Sequence, residues 1–562
     1  MSALHCGSPL ARPSVLLGSS IAGPRARFGT PLALADTPCE RPIARRGAFG
    51  WGALLALTLA CVASVGCGGA RAANKTMGPL TEQLTAQQWD VHRNADTPVV
   101  ELRVVFEAGS ADDPPGLEGL SYVTVMSMLE GRTGELSFAD RERLLFPMAA
   151  QISGHVEREQ VVFAGRVHKD HLSAFYPLFR DVMRLPAFDP SDFERVRGRA
   201  LSHLTQDLRG ADDETLGKEV LQAMLFEGHP YAHPELGSER GLAALRREHL
   251  LEQWARTICS LRVRVAATGP IDAAFEAQLS ADLASLRSPT CQHQRPLPPP
   301  SSLSTRRVWI VDKPEAGSVA ISLGLPIDVT RSHPDYAALS LAAAYFGQHR
   351  TFAGRLMSKM RGDRGLNYGD YAYAEHFVQD GDTRFPMPNV ARRQQYFSIW
   401  VRPVRPEHAH FALRMAVREL EQFAAEGLSE ADFARIQRFA SNYFALFAQT
   451  EQQRLGNTLD ERFYGTSAPT LPALATRFRA LTRDEVNAAV RRHVIPGRVQ
   501  MVMVAPHAAD LAESLLRETP SPMTYNVEKS GEILAEDKLI EVHPLHLVRE
   551  QVNVRPLASM FQ

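Results

Sequence analysis

The sequence predicts an α+β fold built from two tandem homologous α/β-sandwich units, at about 98–287 and 306–510. Three observations predict it. A strand–loop–helix opening occurs twice, a near-identical helix start recurs later in each copy, and a proline- and serine-rich stretch separates the copies.

The first copy opens on Val99, Glu101, Arg103 and Val105, the alternation of a half-buried strand. A loop with Gly109 and Pro114-Pro115 leads into a helical run from Gly119 to Leu129. The second copy opens on Val319, Ile321 and Leu323, loops through Pro334, and enters a helical run from Tyr336 to Phe346. The shared helix start reads Phe188-Asp189-Pro190-Ser191-Asp192-Phe193 in one copy and Leu428-Ser429-Glu430-Ala431-Asp432-Phe433 in the other. Both are expected to place Ser at the cap with acids in the first turn. Each copy closes on an alternating strand, Leu261–Ala267 and Val499–Met503. Residues 288–305, with Pro296 and Pro298 to Pro300, favour polyproline geometry and a semi-rigid linker. Residues 511–562 form a C-terminal tail, polar and with little helical period after Pro520, expected to act as a strap or docking segment.

At 562 residues with 44% hydrophobic content, the chain can bury several cores, which excludes an intrinsically disordered chain. The 62 basic and 63 acidic side chains leave a net charge of −1, so no nucleic-acid partner is expected. Residues 1–66 read as a leader: Arg45 and Arg46 precede an apolar and small stretch from Ala48 to Gly66. Its end, Ser64-Val65-Gly66-Cys67, resembles a bacterial lipoprotein cleavage site with Cys67 lipidated. Cys61 offers a competing site, and a plain signal anchor is the alternative. Either way the bulk of the chain is expected outside the cytoplasm, in the periplasm or cell envelope. Gly68 lacks the carboxylate of an inner-membrane retention signal, which favours a lipid anchor in the outer membrane. Residues 67–97 are expected to form an N-terminal linker. Of six cysteines, cleavage at Cys67 leaves Cys259 and Cys291 as an even pair, either one disulfide or two separate buried thiols.

Three phrases in order then carry a resemblance: Gly119-Leu120 at the helix start, Phe226-Glu227-Gly228-His229-Pro230-Tyr231 through Gly237, and Arg355-Leu356-Met357-Ser358-Lys359-Met360-Arg361 through Tyr368. The chain resembles the insulinase/pitrilysin family of zinc peptidases over about 98–510, in a processing-peptidase-like, two-subunit form. The resemblance implies two halves forming a clamshell around extended peptides. Active members carry His-x-x-Glu-His on the helix after Gly-Leu, so that two imidazoles on one face hold Zn²⁺ beside a general base, with a distant Glu as third ligand. Those positions here read Tyr122, Val125 and Met126, and the distant one reads His203. No His lies between His92 and His155 to rescue the motif by a shift of register. The site is degenerate, and no cofactor is expected in this chain. His168/His171 and His543/His546 lack a third ligand at helical spacing, and His229 and His233 read as structural.

The family's second half supplies an Arg and, seven residues on, a Tyr, and here Arg361 and Tyr368 keep that spacing. The resemblance implies that they stabilise the oxyanion and the substrate backbone. The alternative is a surface charge beside an aromatic strand. Together these residues imply a non-zinc subunit whose partner is a zinc-bearing homologue acting on extended peptides, with the zinc in the partner. The competing expectation is a catalytically inactive peptide-binding or scaffolding lipoprotein.

Overall fold

The computed structural model describes residues 84–562 apart from 86–87, 380, 382–383 and 467–469. The leader 1–66 and Cys67 therefore lie outside the described residues.

The first sheet comprises β1 (Trp89–Arg93), β2 (Val99–Phe106), β3 (Gln151–Val156), β4 (Val161–His168) and β5 (Val263–Gly269), in the order β1-β5-β2-β4-β3. The second comprises β6 (Arg307–Asp312), β7 (Val319–Ile327), β8 (Asp370–Tyr373), β9 (Gln395–Val404), β10 (Gln500–Ala505) and β11 (Val552–Pro556), in the order β11-β6-β10-β7-β9-β8. The repeat extends to strand sense. β1 runs parallel to β5 as β6 does to β10, and the remaining shared pairs are antiparallel in both sheets.

Side chains alternate across both sheets, as a period of two requires. In β10, Met501 and Met503 enter the core of the second unit. Their neighbours Val502 and Val504 enter the core of the first unit. The bridge is the Asp213–Leu225 helix, which leaves the first unit to pack on β7 and β10. The Glu451–Tyr464 helix reciprocates: its Leu455 and Leu459 pack on Val105, Val162 and Ala266 of the first sheet. Each sheet thus holds helices of its own unit on one face and a helix of the other unit on the opposite face. The Tyr336–Gly347 helix is buried on all sides, as its uniformly apolar and small composition allows.

Buried polar groups knit the same junction. Arg103 donates to Asn389 at 2.8 Å, Arg392 to Gln222 at 2.7 Å, and Arg158 pairs with Glu219 at 2.9 Å. Glu157 sits among them with its carboxyl pushed up to about 7, chiefly by burial and then by Glu235.

Three local expectations need correction. In the first copy Ser191 is not the cap: Asp189 occupies that position and Pro190 opens the helix, because a fixed φ and a missing N–H suit proline to the first helical residue. In the second copy Ser429 caps as expected, accepting from Asp432 N–H. Within the expected linker 67–97, residues 89–93 form β1. The tail is more structured than its polarity implied. It supplies the Gly531–Ile540 helix, capped by Ser530, and then β11 against β6. Its end crosses to the first unit, where Arg209 donates to Ala558 O at 3.2 Å and Glu239 N–H donates to Phe561 O at 2.9 Å.

The Pro/Ser stretch has no regular structure but is held along its length. Cys291 is disulfide-bonded to Cys259 with Cα atoms 6.1 Å apart, Arg262 donates to Gln292 O at 2.6 Å, and the His229 ring meets Pro298 O at 2.9 Å.

Candidate functional site

The degenerate metal positions lie on a firmly held helix. Gly119 caps the Leu120–Glu130 helix at φ 101°, a left-handed conformation that glycine adopts without strain. A Cβ there would come within 2.7 Å of Leu236 O, and one on Gly237 within 2.1 Å of Glu118 O. The two glycine motifs read from the sequence thus meet backbone to backbone. Asp113 accepts from the N–H groups of Gly119 and Ser121, each at 2.8 Å, and satisfies the helix start.

On this helix Val125 is buried, while Tyr122 and Met126 are half-buried. His203 opens a π-helical segment, His203–Ala211, and its imidazole faces Asp207 at 3.8 Å. The donor set does not fit the family's zinc. Val125 offers no donor and no base, and Met126 offers only a thioether. The Tyr122 phenol is held protonated by burial, which outweighs the nearby Arg199. Arg199, whose charge acts on the Tyr122 phenol, and Arg195 both pair with Glu130 at the end of the same helix. Among the described residues, no three metal-binding side chains gather at Tyr122, Val125, Met126 and His203.

The second-half pair is brought together. Arg361 lies on a π-helical turn, Met357–Asp363, and donates from Nη1 to the backbone oxygen of Tyr368 at 2.9 Å. Its guanidinium stands over the Phe352 ring, 5.0 Å from the centroid. Tyr368 is 76% exposed and Phe352 65%, while Arg361 is half-buried, its guanidinium held between the Tyr368 backbone oxygen and the Phe352 ring. Both candidate positions, His203 and Arg361, lie on π-helical segments, a geometry frequent at functional sites.

Behind Tyr368 the loop is fastened. Asn367 donates to Asp370 Oδ1 at 2.7 Å and to Arg402 O at 2.9 Å, and accepts from Gly369 N–H at 3.1 Å. Asp370 is fully buried, and burial pushes its carboxyl up to about 8 despite Asn367, Arg361 and Arg402. Arg402 also bonds Glu214 at 3.1 Å, which ties this loop to the first unit.

Sequence reasoning missed the buttress beneath the loop. Arg364 bonds Glu536 and Asp537 of the tail helix, each at 2.8 Å, and Lys359 bonds Glu536 at 2.6 Å. Burial works against the Glu536 carboxylate, but Lys359 and Arg364 hold its pKa down at about 2. The acidic pair Glu536-Asp537 was the only available signal, and nothing in its spacing names its partners.

Of the remaining histidines read from the sequence, His229 and His233 are satisfied locally, by Pro298 O and Tyr231 N–H and by Pro234 O respectively. His168 caps a short turn by accepting from Asp170 N–H, and His543 pairs with Glu421 at 2.9 Å.

Comparison with known proteins places this geometry. The family description "Insulinase (Peptidase family M16)" matches residues 91–237, and "Peptidase M16 inactive domain" matches 244–439. An uncharacterized zinc protease of Mycobacterium tuberculosis is 22% identical over 406 residues, covering 71% of this chain and 87% of the relative. The non-peptidase homolog YmxG of Helicobacter pylori is 18% identical over 396 residues, covering 70% and 86%. Among solved structures, a peptidase M16 inactive domain from Pseudomonas fluorescens superposes with TM-score 0.65 at 20% identity, covering 75% of this chain and 97% of that one. A protease from Helicobacter pylori gives 0.63 at 14%, covering 76% and 99%. With both family segments matched in order on a shared two-unit fold, the chain belongs to the insulinase (M16) family as a peptidase-like member whose zinc motif is degenerate.

Proposed function

We propose that this chain is the non-zinc subunit of a two-chain metallopeptidase, and that it presents Arg361 and Tyr368 to a zinc-bearing insulinase-family partner. The observation that carries the reading is the contrast between the two sites. The metal positions have lost their donor chemistry, while Arg361 is bonded to the Tyr368 backbone, the Tyr368 side chain is exposed, and their loop is buttressed from behind. A phenol O–H and a guanidinium pointed at an extended peptide donate to its carbonyl oxygens, and such donors act most strongly on charge that develops in the transition state. Cys67 would hold the complex at the cell envelope through its lipid.

Recovery of the chain from its native cells with companions bound tests this. The reading expects a homologue with an intact His-x-x-Glu-His motif, and peptide hydrolysis by the pair but by neither chain alone. A companion set without such a homologue, and no hydrolysis, would favour the second reading of a binding scaffold. The likeness to a protein named a non-peptidase homolog supports that second reading.

A further inference from the structure

A second group of metal-binding side chains lies away from both sites. His333 and Asp335 precede the Tyr336–Gly347 helix, with Asp335 at its cap, and His493 ends the Arg483–His493 helix packed beside it. One ligand atom from each of the three lies within 4.8 Å of the others. We propose that His333, Asp335 and His493 form a divalent-metal site, suited to zinc, that pins the start of one helix to the end of the other.

The donor chemistry carries the choice of ion. Two borderline imidazole nitrogens and one hard carboxylate oxygen make a set that zinc takes in three-ligand sites, with water completing a tetrahedron. The geometry is already narrow. Asp335 Oδ2 and His493 Nε2 are 2.8 Å apart, and the His333 and His493 rings meet at right angles with centroids 5.3 Å apart. His333 Nδ1 accepts from Asp335 N–H at 3.0 Å, which holds that ring beside the carboxylate; the bond gives way once a metal takes either ring nitrogen, because the other must then carry the proton.

Arg492 donates to both Asp335 oxygens, from Nη2 at 2.8 Å and from Nε at 3.0 Å. A carboxylate has about four lone-pair positions, so Arg492 can stay as an outer partner while the metal replaces the proton shared between Asp335 and His493. All three ligands are half-buried, which leaves the open coordination position to solvent. His493 lies more than a hundred residues beyond the other two, so no local motif announces the set.

The test uses the whole mature chain, stripped with chelator and titrated with zinc chloride alone at pH 7.5. Bound zinc and the thermal midpoint are read together. The proposal expects one zinc per chain and a rise in the midpoint with added zinc. His333→Ala and His493→Ala should each weaken binding at least as much as the ~10–100-fold typical of losing an outer-shell partner. Arg492→Gln, which keeps all three ligands, should keep the stoichiometry. Cobalt(II) in place of zinc should give visible d–d absorption in the wild type and lose it in His493→Ala. No zinc uptake by the wild type, or uptake unchanged in the His333→Ala/His493→Ala double variant, would overturn the site.

Discussion

Arg364 donates from Nε to Asp537 Oδ1 at 2.8 Å across 173 residues of sequence, and this pair anchors the loop that presents Arg361 and Tyr368. Arg364 is fully buried and Asp537 nearly so, with Glu536 as a second acceptor at 2.8 Å. Truncating one partner of such a set leaves a buried charge unpaired, a loss of about 3–5 kcal/mol. Arg364→Ala should therefore lower stability to denaturant by that order and open residues 520–562 to limited proteolysis. Wild-type stability with an undigested tail would show that the tail does not brace the loop.

Asp370 makes the loop sensitive to pH. Its carboxyl is raised to about 8 in the fold, from an ordinary value of 3.8, chiefly by burial. A raised carboxyl pKa gives stability that is fully present below the unfolded value and lost as pH rises through the folded value. Its contribution should fall between about pH 4 and pH 8 by at most about 1.4 kcal/mol per unit, then level off. Asp113 and Glu157, each pushed up to about 7, act with the same sign. The difference between wild type and Asp370→Asn isolates the one group. A difference that does not vary between pH 5.5 and 8.5 would refute the assignment.

The Cys259–Cys291 disulfide closes a loop with a sequence separation of 32 that joins the end of the first unit to the Pro/Ser stretch. The chain-entropy relation gives a loop of that size about 3.7 kcal/mol. Cys259→Ala/Cys291→Ala should lower the thermal midpoint and free the segment around Gln292 and Pro298 to exchange amide hydrogens faster. An unchanged midpoint would mean that the packing of Leu297 and Leu303 on the first core already fixes the segment.

What the sequence revealed and what it hid follow from the range of the interactions. The doubled strand–helix opening was legible because periods of 2 and 3.6 are local properties. So were Gly119 at the helix start and the missing donors at Tyr122, Val125 and Met126, since each depends only on residue type at a fixed spacing. The exchange of helices was not legible. Leu216, Val220 and Leu221 announce an apolar helix face but not which sheet receives it, and it is the second unit's. The tail misled for the same reason. Its polar composition reads as solvated, yet Glu536 and Asp537 are spent on Arg364 and Lys359 from a distant segment. Ser191 failed as a cap through a purely local competition, because Pro190 takes the first helical position and moves the cap back to Asp189.

The central claim is that Arg361 and Tyr368 complete a partner's active site. It is tested most directly by the turnover of an extended peptide by the reconstituted pair, with assembly followed separately by size-exclusion chromatography. Tyr368→Phe and Arg361→Ala in this chain should each lower kcat by about 10²-fold, the scale for removing one oxyanion donor, while the pair still assembles. Full turnover in both variants would contradict the account and leave Arg361 and Tyr368 without a part in catalysis.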